Sequence, residues 1–570
     1  MSPPHLAHTE HGIRLMVQDK PTLLLPGELH NSSLSSPKYM STVWPAMKAQ
    51  HINTLLGSVT WEMIEPVEGA FDFSSLTQII LDARKHGIYL VLLWFGSYKN
   101  GISTYAPAWV KRDHKRFPRV RVWDAQRGGQ RTIEMISPLC AEGARADARA
   151  FQRLMEHVRE VDSEFGTVVM VQVENETGLL GDSRDRSPRA EEAFREGVPV
   201  DLLRHLAAHE NLHPRFKERF GTRLPDPESL VDKSDKVHYS WASIFGAGTA
   251  ADEAFMAYHI SRYVGTVALA GKSAYNLPMY TNTWLNFDDA STLDLTGYPL
   301  VVGGGARPGI YPSGGPCPHV SDIWRYNATP AALDFLAPDL YFHDYERVCA
   351  DYTFPAENPL FVPEQRRDAH GARRVWVAYA TYGALGTSPF GVDTGADEIG
   401  REYKLLAQTS EYLLNSKPSQ RMGFFFDELP ESGSPKGKET WTRAFGNIEV
   451  IIERAFVFGK PGPGGGMVIQ LGDESSYRFL VVGRGFQVRF RGLEDGVTFT
   501  GILEALEKEV DEQTGELVTL RVLNGDETRS GEFLIMPNDE PDYGGFPIAV
   551  TIPARTCIAE VEAYNLCEGY

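Results

Sequence analysis

The chain has 570 residues, with 56 Lys plus Arg against 75 Asp plus Glu and a formal charge of −19. At about 150 residues per domain this length excludes a single small module, and 42% hydrophobic with 23% charged residues excludes a largely disordered or collagen-like chain. The acidic balance excludes a broad nucleic-acid or anionic-membrane surface, because phosphate would be repelled without a strong local basic patch.

The first residues, Met1-Ser2-Pro3-Pro4-His5, carry neither the charged start nor the apolar stretch of a secretory signal. No run of about 18 apolar residues occurs, so the expectation is a cytoplasmic protein without a membrane partner. From about Thr22 to Ser416 short apolar runs alternate with helix-like segments, the pattern of βα units. The runs are Thr22–Leu25, Ile52–Leu56, Ile88–Trp94, Thr167–Val173, Pro278–Thr283, Leu336–Phe342, Pro359–Val362 and Ala384–Pro389. Helices are expected at Ser75–His86, behind Asp72-Phe73-Ser74, and at Ala144–Phe165, where Ala150, Leu154 and Val158 share a face. Eight strands with helices between them predict an α/β fold, a (β/α)8 TIM barrel enlarged by insertions.

The basic run Lys111, Arg112, His114, Lys115, Arg116, Arg119, Arg121 sits in no nucleic-acid-binding motif and reads as a solvated loop. Two insertions stand out. Residues 178–255 are polar and helix-forming, and residues 286–323 are rich in Gly and Pro, as in an ordered loop at a barrel mouth. Gly303-Gly304-Gly305 lacks the Gly-Lys-Ser/Thr of a phosphate loop. After Pro418 the texture changes to a linker-like Glu431–Glu439 and alternating strands at Ile448–Phe458, Gly466–Gly472, Arg478–Arg491 and Glu516–Val522. The expected division is a barrel over 1–418 and an all-β sandwich over 419–570, the latter structural or serving a homo-oligomer contact in a dimer or trimer. The five cysteines are scattered and form no CxxC pair, so they read as reduced thiols rather than a disulfide frame or zinc site.

Barrel enzymes place their chemistry at the carboxyl ends of strands. The fourth run ends in Gln172-Val173-Glu174-Asn175-Glu176, and period-2 alternation places Gln172, Glu174 and Glu176 on one face. Glu364 ends the seventh run. Two opposed carboxyl groups suit glycoside hydrolysis, in which one donates a proton to the leaving oxygen and the other attacks the anomeric carbon. Arg366 and Arg367 are the neighbouring cations that would favour an ionised Glu364, or else surface salt-bridge partners. Trp61, Trp94, Phe95, Tyr98, Trp284, Tyr341, Phe342 and Phe390 lie near strand ends, where aromatic faces meet sugar C–H faces, and Asn100, Asn175, Asn282 and Asn286 can bind hydroxyls.

These fragments resemble glycoside hydrolase family 35, the β-galactosidase family of the retaining (β/α)8 clan A, in its divergent bacterial and fungal branch with a small C-terminal β domain. The matching strings are Pro26-Gly27-Glu28-Leu29-His30, the stretch from Trp61 to Phe73 (Glu65-Pro66-Val67-Glu68-Gly69-Ala70-Phe71-Asp72-Phe73), Gln172 to Glu176 and Asp339-Leu340-Tyr341. Met279 to Leu285 and Pro363 to Asp368 mark the branch.

The resemblance implies Glu176 as general acid/base, Glu364 as nucleophile, Asn175 on the sugar 2-hydroxyl and Tyr341 on the nucleophile, with Glu28, Trp61, Asn100, Trp284 and Phe390 as further substrate contacts. It implies carboxyl groups about 5–5.5 Å apart, a covalent glycosyl-enzyme, no metal and no organic cofactor. The expected activity is a retaining exo-β-galactosidase acting on terminal non-reducing β-galactosyl residues of a carbohydrate substrate. The alternatives are an exo-glycosidase for a β-glucoside, β-fucoside or α-L-arabinoside, or a non-catalytic carbohydrate-binding barrel. The sugar contacts depart from the family pattern: Ser58, Glu62 and Ile64 stand where typical members have Tyr and Asn-x-His, and Asn100-Gly101-Ile102 replaces Cys-Ala-Glu.

Overall fold

The computed structural model describes residues 2–227, 239–287, 305–429, 438–455, 462–538 and 551–567. Eight parallel strands follow, seven overlapping the expected runs and the first lying just after Thr22–Leu25: β1 (Pro26–Glu28), β2 (Thr54–Thr60), β3 (Tyr89–Lys99), β4 (Val168–Asn175), β5 (Met279–Trp284), β6 (Phe335–Asp339), β7 (Val362–Gln365) and β8 (Thr387–Pro389). Strands β1 to β6 pair in chain order in one sheet, and β7 pairs with β8. Single parallel bridges, Leu340 with Gln365 and Glu28 with Phe390, join the two pieces and close the ring. The expected (β/α)8 barrel is thus present, with bounds that move by a few residues. The first strand begins at Pro26 rather than Thr22, because the backbone of Leu23 and Leu25 is bonded by the Asn53 side chain and that of Leu24 by the Tyr379 hydroxyl.

Alternation along β3 shows how the core is divided. Val91, Leu93 and Phe95 point inward and meet Leu56, Val169, Tyr280, Phe335 and Phe361, while Leu90, Leu92 and Trp94 face the surrounding helices. An N-terminal hairpin, His5–Thr9 with Gly12–Val17, seals one end, since Leu15 and Val17 belong to the same cluster as the barrel interior. The helix Ser74–His86 turns Leu76, Ile79, Ile80 and Ala83 inward, and Ala141–Asp162 does the same with Ala150, Leu154 and Val158.

The first insertion is helical: Pro188–Glu196, Val200–Ala208, Pro214–Phe220 and Trp241–Phe245 lead into a long buried helix, Thr249–Ala274. Of the second, residues 288–304 lie outside the described residues, with Gly303 and Gly304 of the triple glycine among them. The remainder is stitched to the first insertion by paired backbone bonds between Leu179 and Ser313, at 3.0 and 2.9 Å. The basic run is an exposed turn only at its middle, His114 to Arg116. Its flanks lie in the helix Ala108–Arg112 and in a hairpin, Arg119–Asp124 with Gly129–Ile136, and two of its charges are paired locally, Arg116 with Glu68 and Glu142 and Lys111 with Glu62.

The C-terminal part forms two antiparallel sheets. Strands Arg421–Phe426, Gly464–Gln470, Arg478–Arg484, Ile558–Cys567, Val497–Val510 and Leu517–Val522 make one, and Thr440–Phe445, Ile448–Arg454, Phe486–Gly492 and Leu534–Ile535 make the other. The expected single strand Arg478–Arg491 is two strands in different sheets, because Gly483 and Gly485 adopt φ of 125° and 77° and turn the chain between them. Most of the expected linker, residues 430–437, is outside the described residues. Met467, Ile469, Leu480, Val482 and Ile558 share one core with the barrel helices, so the sheets are welded to the barrel. None of the five cysteines forms a disulfide among the described residues. Among the described residues no helix is long and apolar enough to cross a membrane.

At the junction, Gly423 lies so close to the Trp376 carbonyl that an added Cβ would sit 1.9 Å from its oxygen. Gly423→Ala is expected to destabilise the protein by about 1–3 kcal/mol, read as a lowered urea midpoint, since backbone on both sides must shift. An unchanged midpoint would show that this contact does not limit stability.

Candidate active site

Strand β4 ends against its own alternation. Glu174 and Glu176 adopt left-handed φ of 61° and 42°, a region costly for residues with a Cβ, so the backbone is held there by its surroundings. The consequence is a correction: Glu174 does not share a face with Glu176. Its carboxyl turns toward the helices and accepts from Ser97 N at 3.1 Å and Tyr98 N at 2.6 Å. There it meets Asp147 of the helix Ala141–Asp162, which accepts from Trp94 Nε1 at 2.8 Å and Ser97 N at 2.9 Å. Burial, then the charge of Asp147, raises the Glu174 carboxyl well above its usual range. Gly96 permits this approach, because a Cβ there would lie 2.6 Å from Asp147 Oδ1.

With Glu174 diverted, Asn175 and Glu176 both face the barrel mouth. Asn175 Nδ2 donates to Glu364 Oε1 at 3.3 Å, and Tyr341 Oη donates to Glu364 Oε2 at 2.8 Å, so both oxygens of Glu364 accept a hydrogen bond. The main-chain N–H of Glu176 donates to Asn282 Oδ1 at 2.8 Å, which fixes the loop that carries its carboxyl. Glu176, Asp339 and Glu364 present one oxygen each within 4.8 Å of one another, a spacing that a hard divalent cation also accepts. Glu28, at the end of β1, completes the group. It is buried, and among the described residues no donor reaches either of its oxygens.

Among the described residues one cation tempers two of these four carboxyl groups, Glu28 and Glu176. Lys99 Nζ donates to Asn175 Oδ1 at 2.8 Å and lies 4.7 Å from the centre of the Phe95 ring. It does not offset the burial. Desolvation, then the charge of Glu364, raises Glu176 to about 8. Glu28 and Asp339 are also pushed well above the usual carboxyl range, by burial first and then by Glu364. An acid that stays protonated near neutral pH therefore faces a second carboxyl held by two donors, an arrangement suited to proton donation on one side of a bond and attack on the other.

The remaining expected contacts divide. Trp284 is half-buried opposite Asp339 in the β5–β6 register. Phe390 is half-buried over the end of β1, its amide on the Gln365 carbonyl and its ring against His30. Asn100 adopts a left-handed φ of 53°, gives its N–H to the Asn175 carbonyl and buries an Oδ1 that meets no donor among the described residues. Trp61 is a core residue instead: it is fully buried and its indole N–H is taken by Glu65 at 2.7 Å. Arg366 and Arg367 also turn away from Glu364. The first pairs with Asp368, and the second bonds the Gly391 carbonyl and the Thr394 hydroxyl. Lys99 and Asp339 were missed as site residues. Asp339 had a signal, a carboxyl at a strand end inside the Asp339-Leu340-Tyr341 string, whereas Lys99 had none.

Residues 30–215 match a glycoside hydrolase 42 family model described as beta-galactosidase, and residues 399–535 match a domain of unknown function, DUF5597. Beta-galactosidase-1-like protein 2 of Homo sapiens is 26% identical over 212 residues, which are 35% of this chain and 30% of that protein. Among solved structures, the cold-adapted beta-galactosidase of Rahnella sp. R3 aligns at 14% identity with a TM-score of 0.42, over 69% of this chain and 57% of that one. The beta-galactosidase of Bacillus circulans sp. alkalophilus aligns at 15% identity with a TM-score of 0.43, over 70% of this chain and 58% of its own. The chain thus spans less than a third of the curated relative and under two thirds of these structures. Over its first part it is similar to beta-galactosidases.

Proposed function

We propose that the protein is a retaining glycoside hydrolase that removes terminal β-galactosyl residues, with Glu176 as acid/base and Glu364 as nucleophile. The observation that carries this reading is the pair itself: a buried Glu176 raised to about 8 stands with an oxygen within 4.8 Å of Glu364. Oxygens this close leave little room for a water between the two groups, which favours direct attack over an inverting arrangement, in which the carboxyl groups stand about 6.5–9.5 Å apart. In the first step Glu364 attacks the anomeric carbon while Glu176 gives its proton to the leaving oxygen. In the second, Glu176 takes a proton from the water that displaces the sugar from Glu364.

The sugar rests on the similarity of residues 30–215 to the beta-galactosidase family model and on the family 35 motifs. Exo action is supported by the Leu179–Ser313 pairing just beyond Glu176, which ties the two insertions into one wall beside the acid. No organic cofactor enters either step.

Glu364→Gln is expected to lower kcat/KM on an aryl β-galactoside by roughly three orders of magnitude or more with the fold intact. Glu176→Ala is expected to cost about 10²–10⁴-fold on a substrate with a poor leaving group and far less on one whose leaving group needs no proton. Turnover by Glu364→Gln near the native rate would overturn the assignment, and release from a glucoside, fucoside or arabinoside alone would keep the mechanism and replace the sugar. Because Glu176 must be protonated for the first step, kcat/KM is expected to fall as pH rises through about 8. A profile flat to pH 10 would remove Glu176 from the acid role.

A further inference from the structure

Asp339 lies inside the carboxyl cluster and takes no part in the double displacement as written. Its side chain is buried at the end of β6. Oδ2 accepts from Asn282 Nδ2 at 2.8 Å, and the other end of the same amide accepts the Glu176 N–H at 2.8 Å, so Asn282 binds Asp339 and the Glu176 backbone into one unit. Oδ1 meets no donor among the described residues. The Asp339 carboxyl makes a side-chain contact of hydrogen-bonding type with the Glu176 carboxyl, and Glu364 lies within the same 4.8 Å group.

Two carboxylates side by side repel, and a buried oxygen without a donor is left unsatisfied. One proton on Asp339 Oδ1 removes both penalties. We propose that Asp339 is held as the neutral carboxylic acid and donates its O–H to Glu176, making it a positioning residue for the acid/base. This rests on the function proposed above. When Glu176 gives its proton to the leaving oxygen, the bond from Asp339 becomes charge-assisted and steadies the new carboxylate. When Glu176 takes a proton from water, the bond relaxes. The Asp339 proton stays on Oδ1 throughout, so no proton is gained or lost there.

The groups that face this contact act on it from several strands. Glu28, Glu176 and Glu364 disfavour a charge on Asp339. Lys99 acts on Glu176 and Glu28 and favours their ionised forms. Tyr280 and Tyr352 lie within electrostatic reach, and Tyr341 is committed to Glu364.

The full-length protein tests this with Asp339→Asn and Asp339→Leu. The amide keeps an acceptor for Asn282 and a donor for Glu176, so Asp339→Asn is expected to retain most of the rate that Asp339→Leu loses, with the alkaline limb of kcat/KM where the native protein has it. Without a donor, Asp339→Leu is expected to move that limb up by about one pH unit and to lower kcat roughly tenfold at an unchanged Tm. An alkaline limb shifted down by about a unit in Asp339→Asn would show that Asp339 is ionised, and an unmoved limb in Asp339→Leu would reduce it to packing. A native-minus-Asp339→Asn infrared difference spectrum at pH 7 reads the same proton without substrate. A protonated-carboxyl band is expected there, and its absence overturns the inference even if the native protein cleaves no glycoside. Native protein that is inactive but shows the band would fail the proposed function alone.

Discussion

The structure turns on the crowding of like charge at one end of a barrel. Glu28, Glu176, Asp339 and Glu364 are all buried, three of them share a 4.8 Å neighbourhood, and among the described residues Lys99 is the ammonium beside them. Full ionisation of such a group is electrostatically prohibitive, so protons must be distributed among the four. The hydrogen bonds decide where. Glu364 has a donor on each oxygen from Asn175 and Tyr341, while Glu28 and Asp339 each bury an oxygen that no donor reaches among the described residues. The contrast between a carboxyl with a donor on each oxygen and neighbours that bury donor-free oxygens is the asymmetry that the proposed double displacement needs.

Holding Glu176 in this group requires a strained strand end. Two left-handed residues at Glu174 and Glu176 send one acid outward and the other inward, and each is anchored. Glu174 is fixed by the Ser97 and Tyr98 amides beside Asp147, and Glu176 by Asn282. The outward acid pair therefore acts as the footing of the inward one. Strain stored at a site and supported by buried partners behind it is a recurrent way to place a reactive group.

Much of the barrel was legible because parallel strands buried on both faces leave continuous apolar runs; seven of the eight runs overlap strands, while the first strand follows directly after Thr22–Leu25. The polar strand ends Glu176 and Glu364 were legible for the same reason, as abrupt carboxyls after apolar stretches. Period-2 alternation failed at Glu174 because it assumes extended backbone, and φ of 61° is not extended. Trp61 was mistaken for a cleft residue because an aromatic at a strand end looks the same whether its indole N–H meets a sugar or Glu65. Arg366 and Arg367 stand close to Glu364 in sequence, but their partners are set by the loops around Asp368 and Thr394. Lys99 reaches Asn175 across two strands, and such a pairing leaves no mark in either segment. The two-sheet arrangement of the tail was partly hidden as well, since the turn at Gly483 and Gly485 interrupts a run that reads as one strand.

The assignment of Glu364 is tested most directly by trapping the sugar on the enzyme. The protein would be treated with a 2-deoxy-2-fluoro-β-galactoside bearing an activated leaving group, which slows the second step more than the first, and its mass and peptides then measured. The account predicts one added fluorosugar per chain, carried on the peptide containing Glu364 and absent from Glu364→Gln. An adduct on another residue, or turnover giving the opposite anomer with no adduct, would contradict it.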